Sequence, residues 1–115
     1  MLRGEVHLVD LGPSRGSEAS KRRPAVIVSN DAANSTAAKL GRGVVTIVPI
    51  TSNVARVHPF QVLLPAGSGG LERDSKAQAE QVRSIAAERI EGHLGSLPAP
   101  LMTSVDQALR LHLAL

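Results

Sequence analysis

Short apolar runs fenced by proline and glycine constrain this chain most. Val44–Val48 stops at Pro49, Phe60–Leu64 lies between Pro59 and Pro65, and Ala25–Val28 follows Pro24. Runs of about five residues, rich in β-branched side chains, are too short for buried helices and suit strands. We therefore read strands over Glu5–Leu11, Ala25–Ser29, Val44–Val48 and Phe60–Leu64. In the first, Val6 and Leu8 share one face and His7, Val9 and Leu11 the other. Residues 30–43 are small and polar, which predicts a loop with one helical turn.

The remaining segments are less uniform. Residues 73–91 are rich in Ala, Glu, Gln, Lys and Arg, and Ala79, Val82, Ala86 and Ile90 fall at helical spacing. Propensity favours a helix there, although residues 77–82 also alternate as a strand would. After Pro98 and Pro100, the residues Leu101, Met102, Val105, Ala108, Leu109, Leu113 and Leu115 form one apolar helical face. His112 falls within that face, as a packed or interfacial histidine. Mainly β structure with a closing helix follows: a small, strongly curved, mostly antiparallel sheet or barrel. The 115 residues make one domain, 1–115, with no repeat or long linker.

Charge and composition narrow the partners. Net charge is +3, yet seven basic residues (Arg15, Lys21, Arg22, Arg23, Lys39, Arg42, Arg56) face only Glu18 and Asp31 within residues 12–60. A basic half suits a polyanion. With Phe60 as the one aromatic residue besides the histidines, stacking platforms for single strands are scarce. The absence of cysteine excludes disulfides and thiolate metal sites. No apolar run approaches the roughly 20 residues of a membrane span, and no signal-peptide pattern stands at the N-terminus. Neither membrane contact nor export is expected, and a reducing cytoplasm suits the chain. His7, His58, His93 and His112 contain no pair at metal-ligand spacing, so we expect no metal and no cofactor, unless residues distant in sequence converge.

Gly16-Ser17-Glu18, Lys21-Arg22-Arg23-Pro24, Val48-Pro49-Ile50-Thr51-Ser52-Asn53 and Glu80-Gln81-Val82-Arg83 carry the chemistry. RNA supplies its own nucleophile, the 2′-hydroxyl. An enzyme then needs a base, for which Glu18 serves. It needs a charge on the phosphate oxygens, for which Arg23 serves, and hydroxyl donors, for which Thr51 and Ser52 serve. Each residue alone also has a plain structural reading: a surface ion pair for Glu18, a strand entry for Arg23-Pro24, a turn for Thr51-Ser52-Asn53.

These pieces, in order with Arg3-Gly4-Glu5-Val6, Val9-Asp10-Leu11, Ala25-Val26-Ile27-Val28-Ser29 and Pro59-Phe60-Gln61-Val62, resemble the MazF/PemK/Kid family of toxin endoribonucleases, with spacing like that of mycobacterial MazF-like toxins. The resemblance implies a small SH3-like or Kid/CcdB-like curved antiparallel barrel with a C-terminal helix, and a homodimer. It implies a type II toxin that cuts single-stranded RNA (messenger, transfer or ribosomal) without a metal, leaving 2′,3′-cyclic phosphate and 5′-hydroxyl ends, and that a cognate antitoxin inhibits. It assigns Arg23, Thr51 and Glu18 to catalysis, with Glu80 the other candidate base. RNA contacts would come from Ser17, Lys21, Arg22, Ser52, Asn53, Glu80 and Gln81. It also implies a strand over about 75–82, with any helix beginning near Ala86. Two departures are His7, where relatives often carry tryptophan, and His58, in place of an aromatic. The alternative on the same scaffold is a non-catalytic CcdB-like gyrase poison or nucleic-acid-binding module.

Overall fold

A computed structural model describes residues 1–13, 15–19 and 21–115. Among the described residues seven strands and two α-helices follow in order: β1 Glu5–Asp10, β2 Arg22–Ile27, α1 Asp31–Leu40, β3 Val44–Thr51, β4 Gln61–Leu64, β5 Ser75–Gln78, β6 Arg83–Ala86, β7 Ile90–Ser96 and α2 Ala99–Leu113. All strand pairs are antiparallel. The spatial order is β4-β5-β3-β2-β1-β7, with β6 also on β3. Mainly β architecture with a C-terminal helix is as expected, but the sheet stays open, with β4 and β7 as its ends.

Glycine lets these two ends approach without pairing. A 3₁₀ turn at Ser68–Gly70, just after β4, lies against β7. A Cβ added to Gly70 (φ +78) would fall 2.0 Å from the Leu94 carbonyl oxygen, and one added to Gly95 would fall 2.6 Å from Gly69 C. Backbone therefore touches backbone where any side chain would intrude. Curvature comes close to closing a barrel, but a turn rather than a ladder makes the contact.

Several elements differ from the sequence reading. Residues 30–43 hold a full ten-residue helix, not one turn. Asn30 caps it by accepting from the Ala33 N–H at 2.9 Å, and Gly41 ends it with φ +64. Buried Asn34 docks it, donating to the Ser29 carbonyl, while Ser29 Oγ accepts from the Thr46 N–H at 3.1 Å. β3 does not stop at Pro49. It switches partner between Ile47, opposite Arg83 of β6, and Ile50, opposite Ala77 of β5. Pro49 sits in that switch, where on this side there is no ladder to lose a donor. Residues 73–91 do not form the helix that propensity favours; the strand implied over about 75–82 is present but ends at Gln78, and only a 3₁₀ turn follows Ala86. They form β5, a 3₁₀ turn at Ala79–Gln81, β6, a second 3₁₀ turn at Ala87–Arg89 and the start of β7.

Both faces of the sheet are covered. One carries Val6, Val26, Val48, Ile50, Val62 and Leu64, against Val105, Ala108 and Leu109 of α2. The other carries Val9, Ala25, Ile27, Val45, Ile47 and Ile85, under Ala37 of α1 and Ala19 of the β1–β2 loop. Loose alternation in β1 reflects this double burial: Val6 and Val9 belong to opposite cores. Leu113 and Leu115, expected on the packed face of α2, are exposed. His112 approaches Phe60, whose ring stacks on His58 at 5.2 Å. Neither helix is long and apolar enough to cross a membrane.

Candidate active site

Where β2 begins and β3 ends, a cleft of about 490 Å³ opens. Arg22, Arg23, Thr51 and Ser52 line it, together with Glu72 and Arg73 from the segment leading into β5, Ser75 at the start of β5, and Leu94 of β7. The β2–β3 ladder ends at Ala25 opposite Pro49. Arg23 and Thr51 each lie two residues beyond that pair, so the pleat sends both side chains to the face of Ala25 and Ile47. Arg23 is half-buried, consistent with a guanidinium held by its surroundings. Thr51 Oγ1 accepts from the Asn53 N–H at 3.2 Å, and Asn53 Oδ1 accepts from the Ala55 N–H at 3.3 Å. These bonds fold the chain sharply after β3 and leave the threonine hydroxyl hydrogen to be donated.

Glu18 does not line the cleft. It is exposed, and its Oε1 accepts from the Arg15 N–H at 3.1 Å within its own loop. The loop itself is anchored. Gln81 donates from Nε2 to the Ser17 carbonyl at 2.8 Å and accepts at Oε1 from the Ala19 N–H at 3.1 Å. Ala19 then buries in the core alongside Ala25 and Ile47. Gln81, expected to touch substrate, uses its amide to hold this loop.

Glu80 is likewise occupied. Its Oε2 accepts from Gln61 Nε2 at 2.6 Å, and Gln61 Oε1 accepts from the His58 N–H at 3.0 Å, so the pair shapes the turn into β4. Ser17, Lys21, Asn53, Glu80 and Gln81 do not line the cleft. Lys21 adopts φ +65, fixed by its N–H donating to the Gly12 carbonyl and its carbonyl accepting from the Leu11 N–H.

The residues that sequence reasoning missed come from Glu72-Arg73-Asp74-Ser75. A charged run directly after the Gly67-Ser68-Gly69-Gly70 tip was the available signal. Buried Lys76, opposite Thr51, was missed too; its ammonium donates to the Arg56 carbonyl and ties down the loop after β3.

A separate cluster joins histidines 86 positions apart, a convergence of distant residues that sequence spacing left open. Glu5, His7 and His93 offer donor atoms within 4.8 Å of one another. Burial raises the Glu5 carboxyl pKa, but hydrogen bonds from His7 and the Leu2 N–H, with the charges of the N-terminus and His93, outweigh it and hold the group below its ordinary value.

Fold and cleft define a class: a small curved antiparallel β protein with a C-terminal helix and a basic, hydroxyl-lined cleft at one end of its sheet. The family model described as PemK-like, MazF-like toxin of type II toxin–antitoxin system matches residues 2–113. Over 115 residues the chain is 60% identical to the endoribonuclease MazF9 of Mycobacterium tuberculosis, covering 100% of this chain and 98% of that protein. It is 33% identical over 114 residues to the endoribonuclease EndoA of Bacillus subtilis, covering 98% and 94%. Its backbone matches, with TM-score 0.79 and 26% identity, a solved endoribonuclease in complex with its cognate antitoxin from mycobacterial species, covering 100% of this chain and 96% of that one. The chain belongs to the PemK-like, MazF-like toxin family of type II toxin–antitoxin systems.

Proposed function

We propose that this MazF-like toxin is an endoribonuclease that cuts single-stranded RNA by attack of the RNA's own 2′-hydroxyl. The observation that carries the reading is the placement of Arg23 and Thr51 on one face and in one cleft. A phosphodiester bound there meets the Arg23 guanidinium and the Thr51 hydroxyl at its non-bridging oxygens. Both interactions strengthen as negative charge grows on those oxygens at the transition state. The 2′-oxygen bonds to phosphorus, its proton passes to a carboxylate, and the phosphorus–5′-oxygen bond breaks. The 5′-oxygen takes up a proton from water, leaving 2′,3′-cyclic phosphate and 5′-hydroxyl ends. Because guanidinium and hydroxyls supply the electrostatics, the step needs no metal.

Glu18 is the proposed base. Its loop packs, through Ala19, on the face that carries Arg23 and Thr51. Glu72 lines the cleft beside Leu71, which belongs to the opposite core. Arg22, Ser52 and Arg73, all at the cleft, guide the flanking phosphates. Residues 1–115 act as one toxin domain in a homodimer in the cytoplasm, and a cognate antitoxin blocks the cleft. A transcript incubated with purified protein in excess EDTA tests the reading. Wild type should cut it, and Arg23→Ala should lose about 100- to 1,000-fold in rate while remaining folded. Unchanged cutting by folded Arg23→Ala would refute the role given to Arg23. Glu18→Gln should slow cleavage more than Glu72→Gln, and the reverse order would move the base to Glu72.

A further inference from the structure

We propose that Glu5, His7 and His93, none of which lines the cleft, form a binding site for a borderline transition-metal cation such as Zn²⁺, bridging β1 and β7. His7 and His93 stand directly opposite each other across the β1–β7 pair, with irregular register on either side of the His7–Leu8 stretch. Such irregularities re-aim side chains, and here both rings converge on one carboxylate. Nε2 of His7 lies 3.0 Å from Glu5 Oε1, and Nε2 of His93 lies 3.9 Å from Glu5 Oε2. The ring centroids are 5.0 Å apart.

Zinc binds imidazole nitrogen and carboxylate oxygen at about 2.0–2.2 Å, so tetrahedral ligands stand roughly 3.4 Å from one another. The two histidine–carboxylate separations fall on either side of that value, and all the donor atoms lie within 4.8 Å of one another, so an ion would draw them together. His93 is free to move, with 52% of its side chain exposed, whereas His7 is 9% exposed and fixed. Glu5 Oε1 also accepts the Leu2 N–H at 3.1 Å, so a further contact already orients the carboxylate. Two imidazoles and one carboxylate favour Zn²⁺, Co²⁺ or Ni²⁺ over the harder Mg²⁺ and Ca²⁺. Three protein ligands leave a coordination position for water. A bound ion would tie edge strand β7 to β1.

The test uses the full-length chain without a histidine tag. Calorimetric titration with ZnCl₂ should give one ion per chain. The thermal midpoint should rise with zinc as mass action requires and stay put with MgCl₂. Co²⁺ should develop the visible absorption of a four-coordinate site. His93→Ala, a change at an exposed side chain, should fold, cut RNA like wild type and lose all three responses, whereas His112→Ala should keep them. No zinc response in wild type, a response surviving in His93→Ala, or half an ion per chain would each overturn the site.

Discussion

Gln81 commits both ends of its amide to the loop that carries Glu18. Removing that amide leaves the Ser17 carbonyl and the Ala19 N–H without their protein partners. Two hydrogen bonds of about 1 kcal/mol each are at stake. We expect Gln81→Ala to speed hydrogen exchange at the Ala19 amide and to slow RNA cleavage about tenfold without unfolding the protein. Unchanged exchange and rate would show that the loop holds its place without Gln81. Asn34 gives a purely structural counterpart. It is fully buried, and Asn34→Ala orphans the Ser29 carbonyl. A loss of about 1–3 kcal/mol in urea unfolding is expected, with cleavage by the folded protein unchanged. That Arg23 and Thr51 stand near strand ends was legible in the sequence, because a proline lies close to each. The tasks of Gln81 and Glu80 were not, because an amide or carboxylate reads alike whether it meets substrate or backbone. Only the loop it touches decides, and that loop lies 62 residues away for the Ala19–Gln81 bond.

At the scale of elements, α1 shows why local patterning fell short. Its sequence is small and polar, and only Asn34 and Ala37 are buried. Such a helix rests on its ends and one docking network rather than on an apolar stripe. Asn30→Ala should therefore lower stability by about 1 kcal/mol, as a shift in urea midpoint. Over residues 75–96 propensity misled for the opposite reason: helical spacing in Ala-rich sequence was real but overridden by strand pairing with β3 and β1. Gly95→Ala tests how the open sheet is shaped. Its methyl would meet the backbone of Gly69, so Gly95→Ala should cost about 1–3 kcal/mol. Full stability in Gly95→Ala would mean that the turn after β4 can withdraw from β7 freely.

Across the whole molecule, two cores on opposite faces of one sheet hold the ends of β2 and β3 in register, and this register is what brings residues 23 and 51 together. Arg3 couples the layers further, donating to the Val28 carbonyl at 2.8 Å and to Asp106 of α2 at 2.7 Å. Fold class and closing helix were readable from proline-fenced apolar runs and one amphipathic face. The cleft was not, because three of its lining residues come from a segment with no secondary structure of its own until Ser75. Mapping the 5′ ends of fragments from a long single-stranded transcript in EDTA tests the central claim most directly. Discrete sites bearing 5′-hydroxyl and 2′,3′-cyclic phosphate ends, formed by wild type and absent with folded Arg23→Ala, are the expected result. An intact transcript with wild type, or the same fragments at the same rate with Arg23→Ala, would contradict it.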